Sequence, residues 1–97
     1  MQRKARKRKT SREDKAYMAA VAELRCCACR MRPCEEVHHC RGHEFGTGMG
    51  LKASDRDTIP LCRPCHDEYH RHGRDTWEQK YGRQKDLVAE TQAQISS

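Results

Sequence analysis

The stretch Glu36-Val37-His38-His39-Cys40 lies between Cys26-Cys27-Ala28-Cys29 and Cys62-Arg63-Pro64-Cys65-His66, with a further His70 downstream, and its reading decides the fold. Two Cys-x-x-Cys turns offer four soft ligands, the set a tetrahedral structural Zn²⁺ takes at about 2.3 Å from each sulfur. The 32 residues between Cys29 and Cys62 exceed the roughly 15 to 20 of a simple two-knuckle finger, so a hairpin and a loop fit inside the clasp. Cys26, Cys29, Cys62 and Cys65 are therefore expected to hold zinc. Cys27, Cys34 and Cys40 are spare, and Cys27, beside Cys26, is the natural substitute.

The rest of the composition explains why a clasp is needed. With 97 residues, 35% hydrophobic, 35% charged and a mean hydropathy of -1.13, the chain makes one domain that buries little apolar surface. Domains this small and polar lean on disulfides or a metal. Seven cysteines cannot all pair, and the basic N-terminus is not followed by the apolar segment of a secretory signal. No apolar run approaches the roughly 18 residues of a membrane helix. The expectation is a reduced, cytoplasmic protein that is not secreted and has no membrane partner.

The formal charge of +6 is unevenly spread. Residues 1–12 carry seven basic side chains (Arg3, Lys4, Arg6, Lys7, Arg8, Lys9, Arg12) and no acid, whereas the other 85 residues hold 13 basic and 14 acidic ones. Like charges without apolar anchors repel one another and find their partner in a polyanion, where counterion release favours binding. Residues 1–12 are read as a disordered basic tail that contacts nucleic acid, and residues 13–97 as the single folded domain.

Periodicity supplies the elements. Ser11 can cap a helix carrying Glu13 and Asp14 in its first turn, and Tyr17, Met18, Val21 and Leu24 mark one apolar face, which predicts a helix over 11–25. Short strands are expected at 36–40 and 58–61, followed by a helix over 65–72 closed by Gly73. The glycine-rich stretch 41–57 reads as a long loop. One or two helices should follow over 76–81 and 83–93, with Trp77, Tyr81, Leu87, Val88 and Ile95 packing on the zinc module. The fold class is a small zinc-stabilised α+β domain with flanking N- and C-terminal helices.

Six histidines then ask for a role. Neighbours on a strand point to opposite faces, so His38 and His39 divide their labour: one imidazole can bind a metal while the other faces a water as general base. His66 and His70 are four apart and share one helical face, the spacing by which helical histidine pairs chelate a metal.

At these residues the chain resembles the HNH (ββα-metal) endonucleases. The order is Cys-x-x-Cys, Val37-His38-His39, then Asp55-x-x-Thr58-Ile59-Pro60-Leu61-Cys62-x-x-Cys65-His66 with a later histidine. Gly48-Met49-Gly50-Leu51-Lys52-Ala53-Ser54-Asp55 and Trp77-Glu78-x-x-Tyr81-Gly82 are similar, more narrowly, to phage HNH nucleases related to the RecA-dependent nuclease Ref. The resemblance, covering about residues 15–90, implies a ββα-metal core and hydrolysis of DNA phosphodiesters. It implies that His39 is the general base, that His38 and His66 bind a catalytic divalent metal (Mg²⁺, Mn²⁺ or Zn²⁺), and that His70 assists or contacts phosphate. The middle Asn of the HNH name is absent. Asp55, which matches the phage relatives there, is the preferred residue for that role, while Asp57 fits the generic spacing better. The resemblance further implies a monomer acting on DNA in a bacterial host cell, linked to phage recombination and to a RecA-type recombinase filament. Arg41, Lys52 and Arg56 are candidate phosphate contacts beside the tail, and His43 and His72 are assigned to DNA or solvent. The competing expectation is a non-catalytic zinc module that binds nucleic acid.

Overall fold

The computed structural model describes residues 11–45 and 53–96. In chain order its elements are α1 (Arg12–Ala22), β1 (Glu36–His39), a 3-10 turn (His43–Phe45), β2 (Thr58–Leu61), α2 (Arg63–His72), α3 (Arg74–Tyr81) and α4 (Gln84–Ser96). Among the described residues this is an α+β arrangement of one two-stranded antiparallel sheet and four α-helices.

Helix α1 begins as its sequence dictates. Ser11 Oγ accepts the Asp14 N–H at 3.0 Å, Glu13 and Asp14 favour the positive end of the helix dipole, and Tyr17 and Val21 are buried. It ends at Ala22, short of the expected residue 25, because the first knuckle needs the chain back. Leu24 N–H bonds the Val21 carbonyl at 3.0 Å, and Arg25 has already left the helix to pair with Pro33. The expected division after residue 12 falls inside α1, of which Arg12 is the first residue. Residues 1–10 lie outside the described residues.

The knuckle itself is closed by Cys26 N–H to the Arg32 carbonyl at 2.9 Å and by Arg30 N–H to the Cys26 carbonyl at 3.0 Å, with Arg30 in the left-handed region at φ 62°. It docks directly on β2, where Cys27 N–H donates to the Pro60 carbonyl at 2.9 Å. Strands β1 and β2 pair with Glu36 opposite Leu61, Val37 opposite Pro60, His38 opposite Ile59 and His39 opposite Thr58. All four β2 residues are buried, since α1 and α4 pack against this strand. A two-stranded sheet has only edges, which is why Pro60 is tolerated in it.

Helix α2 starts at Arg63, two residues earlier than expected, because Pro64 is suited to a first turn where no N–H is needed. Gly73 (φ 89°) separates it from α3, and Gly82 (φ 114°) separates α3 from α4. Trp77 on α3 is 1% exposed and donates Nε1–H to the Cys65 carbonyl at 3.1 Å, so its indole both fills the core and holds the second knuckle. The core around it comprises Cys26, Cys27, Cys40, Ile59, Leu61, Cys62, Cys65, Leu87 and Val88. Half of that cluster is cysteine, as a chain short of aliphatic residues requires.

Two ionic clasps finish the arrangement. Arg30 forks onto Glu90 at 2.9 and 3.0 Å, joining the first knuckle to α4. Arg74 reaches the Arg41 carbonyl at 2.8 Å, Glu78 at 3.2 Å, and Glu44, pinning the chain that leaves β1 against α3. Among the described residues no helix is long and apolar enough to cross a membrane.

Because Trp77 serves packing and the knuckle together, Trp77→Ala is expected to destabilise the domain by about 3–5 kcal/mol in a urea melt. Trp77→Phe, which keeps most of the ring but removes the Nε1 donor, should cost about 1–2 kcal/mol.

Candidate metal centre

The four expected cysteines converge. The ligand atoms of Cys26, Cys29, Cys62 and Cys65 all lie within 4.8 Å of one another, a group that could hold a metal ion such as zinc. Cys29 Sγ and Cys62 Sγ are 3.8 Å apart. Two sulfurs bound at about 2.3 Å to one tetrahedral ion would be separated by about 3.8 Å, so the spacing fits Zn²⁺. Ala28 N–H points at Cys26 Sγ at 3.4 Å, a backbone donor to a ligand sulfur. Cys27 is not part of the group: its N–H is engaged by Pro60 and its side chain lies in the core.

Acidity argues the same way. Burial pushes the Cys29 thiol up, but the N–H groups of Met31 and Arg32 and the thiols of Cys26 and Cys62 outweigh it and bring it to about 7. Cys62 and Cys65 are instead raised, first by burial and then by neighbouring thiols. Four thiolates in this enclosure repel one another unless a cation sits among them. Cys27, held up at about 12 by burial, stays a neutral thiol.

The histidines fall on two sides of β1, as strand parity requires. On one side His39 Nε2 lies 2.9 Å from Asp55 Oδ1, the imidazole one-third exposed and the carboxylate 4% exposed. An ionised carboxylate only accepts, so in this pair Nε2 is the donor. Asp55 rather than Asp57 thus meets His39. The main chain of Asp57 serves the fold, its carbonyl accepting Cys40 N–H at 2.8 Å.

On the other side His38 packs against α2. Its ring centroid is 5.4 Å from that of His66 and 4.8 Å from that of Tyr69, and His66 Nε2 lies 3.3 Å from His70 Nε2. Two imidazoles bound at about 2.0–2.1 Å to one tetrahedral ion place their nitrogens roughly 3.4 Å apart, so the α2 pair has the spacing of a chelate. His38 completes the cluster as a neighbouring ring, without the close mutual approach of all ligand atoms that the cysteines achieve. Burial first, then His66 and His70, holds the His38 imidazole down at about 4, against an opposing pull from the Gln84 amide. It is therefore neutral near pH 7, the form that ligates metals.

Other expected contacts divide. Arg41 is exposed, with its carbonyl tied to Arg74. His72 is exposed at the end of α2. Arg56 has a structural engagement, bonding Asp14 at 3.0 Å while its guanidinium lies 4.9 Å from the centre of the Tyr17 ring. Arg3, Lys4, Arg6, Lys7, Arg8, Lys9 and Lys52, and the side chain of His43, lie outside the described residues. Sequence reasoning did not single out Tyr69, between His38 and Trp77, or Gln84. A readable signal existed for Gln84: it precedes Leu87, Val88 and Thr91 at helical spacing, a polar residue on the buried face of α4.

A family model described as "Protein of unknown function (DUF968)" matches residues 1–96. Among curated proteins, "Uncharacterized protein YdfU" of Escherichia coli (strain K12) is 47% identical over 64 residues, which is 64% of this chain and 17% of that protein. The aligned segment is thus a small part of that relative's length. No solved structure matches.

The purified chain is expected to carry one tightly bound zinc by native mass spectrometry. Cys62→Ser should lose that ion and the cooperative melt, whereas Cys27→Ser should retain both. Equal zinc loss in the two variants would contradict the ligand set.

Proposed function

Since the chain belongs to the DUF968 family, whose function is unknown, we propose an activity from its own side chains: a metal-dependent DNA endonuclease of the HNH (ββα-metal) type. The observation that carries this reading is the 2.9 Å pairing of His39 with a buried Asp55, on a strand whose preceding residue, His38, lies against the His66–His70 pair. A base and a cluster of metal-binding imidazoles carried by successive residues of one short strand supports this reading, in which both act on the same phosphate. The Cys26/Cys29/Cys62/Cys65 clasp holds the fold and takes no part in chemistry.

In this reading His39 Nδ1 takes a proton from the water that attacks phosphorus. Asp55 keeps the other ring proton on Nε2, fixes the orientation of the imidazole and stabilises the imidazolium that forms. His38, His66 and His70 are the candidate ligands of a divalent ion, Mg²⁺, Mn²⁺ or Zn²⁺, which when bound neutralises charge at the phosphate and at the leaving 3′ oxygen. Arg41, Lys52 and the basic tail bind the DNA backbone, which positions the strand without reading its sequence. A monomer suffices for this chemistry, and a phage setting with a RecA-type recombinase filament as partner belongs to the same proposal.

One observation favours a second reading, a non-catalytic zinc module that binds nucleic acid: only the cysteines close into a tight ligand group among the described residues. His39 separates the two. In Mg²⁺ or Mn²⁺, His39→Ala should lower nicking of supercoiled plasmid by about 10²-fold or more while leaving zinc content and DNA affinity unchanged. Equal nicking by the variant would sink the nuclease assignment.

The tail makes its own prediction. Deleting residues 1–10, which spares the Ser11 cap, should weaken DNA affinity and flatten its salt dependence with no change in melting temperature.

A further inference from the structure

Gln84 opens α4 with its side chain fully enclosed at 0% exposure, yet neither Oε1 nor Nε2 of its amide has a hydrogen-bond partner. His38 Nε2 is likewise buried and unpartnered. A stranded buried polar group destabilises the fold, and Leu or Met would fill the same space without that cost. The main chain at Gln84 is fixed, its N–H donating to Glu78 Oε2 at 2.8 Å, and Glu78 is held in turn by Arg74. The amide lies close enough to the His38 ring to favour its protonation while missing hydrogen-bond geometry. A hydrogen bond between that amide and the ring would pair two of the stranded atoms at once.

We propose that Gln84 is a positioning residue for His38, its Oε1 accepting the proton on His38 Nε2 and so fixing the tautomer whose lone pair is on Nδ1. An imidazole ligates through an unprotonated nitrogen, and the partner of the opposite nitrogen decides which one that is. With Nε2 enclosed and bonded to Gln84, Nδ1 is the atom left to join His66 and His70. The opposite polarity, with the amide Nε2 donating to the ring, would put the proton on Nδ1 and remove His38 as a ligand. The tautomer claim stands on His38 and Gln84 alone; its use for metal binding rests on the reading proposed above.

The test is long-range ¹⁵N–¹H NMR of the His38 ring in the zinc-loaded full chain, alongside Mn²⁺ titration. The wild type should show the Nε2–H tautomer. Gln84→Met, of similar volume but without an acceptor, should show a mixture of tautomers, and Gln84→Glu should restore the single form. Mn²⁺ affinity should fall about 10–100-fold in Gln84→Met and recover in Gln84→Glu. An Nδ1–H tautomer in the wild type, or an unaltered ring in Gln84→Met, would overturn the proposal. Should the Met variant not fold, the wild-type and Gln84→Glu spectra still decide which nitrogen bears the proton. A ring that responds to Gln84 in a wild type that takes up no Mn²⁺ supports the positioning role and removes the metal reading instead.

Discussion

Four sulfur atoms that repel one another when ionised are the constraint on which the rest of this structure hangs. Cys26 and Cys29 lie between α1 and β1, Cys62 and Cys65 where β2 passes into α2, and they meet within 4.8 Å. A cation at their centre turns that repulsion into a cross-link across 32 residues of chain. The hairpin is then tied at its open end and α2 is anchored at its N-terminus. With Trp77 bonded to the Cys65 carbonyl and Arg30 to Glu90, α3 and α4 are referred to the same point. In a chain with so few aliphatic residues, the small core around Trp77 and the ionic clasps are all organised about that point.

From that anchor the two histidine arrangements follow by parity. His38 and His39 are successive residues of β1, so burying one against α2 turns the other outward. The register sets His39 opposite Thr58, whose hydroxyl bonds the Asp55 carbonyl at 3.1 Å, and this brings the Asp55 carboxylate to the imidazole. On the far side α2 carries His66 and His70 one turn apart, and Tyr69 leans between His38 and Trp77. A one-residue slip of the hairpin would exchange the two imidazoles and abolish both arrangements. Register is secured at both ends of the pairing, by Glu35 N–H on the Leu61 carbonyl and Cys40 N–H on the Asp57 carbonyl.

What was legible in the sequence was whatever local chemistry fixes. Ser11, Gly73 and the short run Thr58–Leu61 ending at Cys62 mark element ends, because caps, positive-φ glycines and short strands depend on nearby residues. The Cys-x-x-Cys spacing carried the clasp for the same reason. The preference for Asp55 over Asp57 rested on the resemblance alone, since both lie close before β2 and only the three-dimensional turn aims one of them at His39. Arg56 shows what a loop sequence hides: a basic residue there reads as a phosphate contact, and its ion pair with the distant Asp14 exists only through the fold. The early end of α1 was hidden too, because the turn toward Cys26 overrides an apolar periodicity that runs on to Leu24.

The polar residues of the interior are the places where stability yields to something else. Asp55, Thr58, Gln84 and Thr91 are all buried in a domain that can spare little apolar area. Thr91 and Thr58 bond nearby carbonyls and cost little. Asp55 is different, because a buried carboxylate keeps its charge only among polar partners, and His39 Nε2 at 2.9 Å is one of them. An apolar side chain would fill that position without the cost of burying a charge, but it would leave the imidazole unheld. Under the proposed nuclease reading, the carboxylate is kept for the orientation it gives His39.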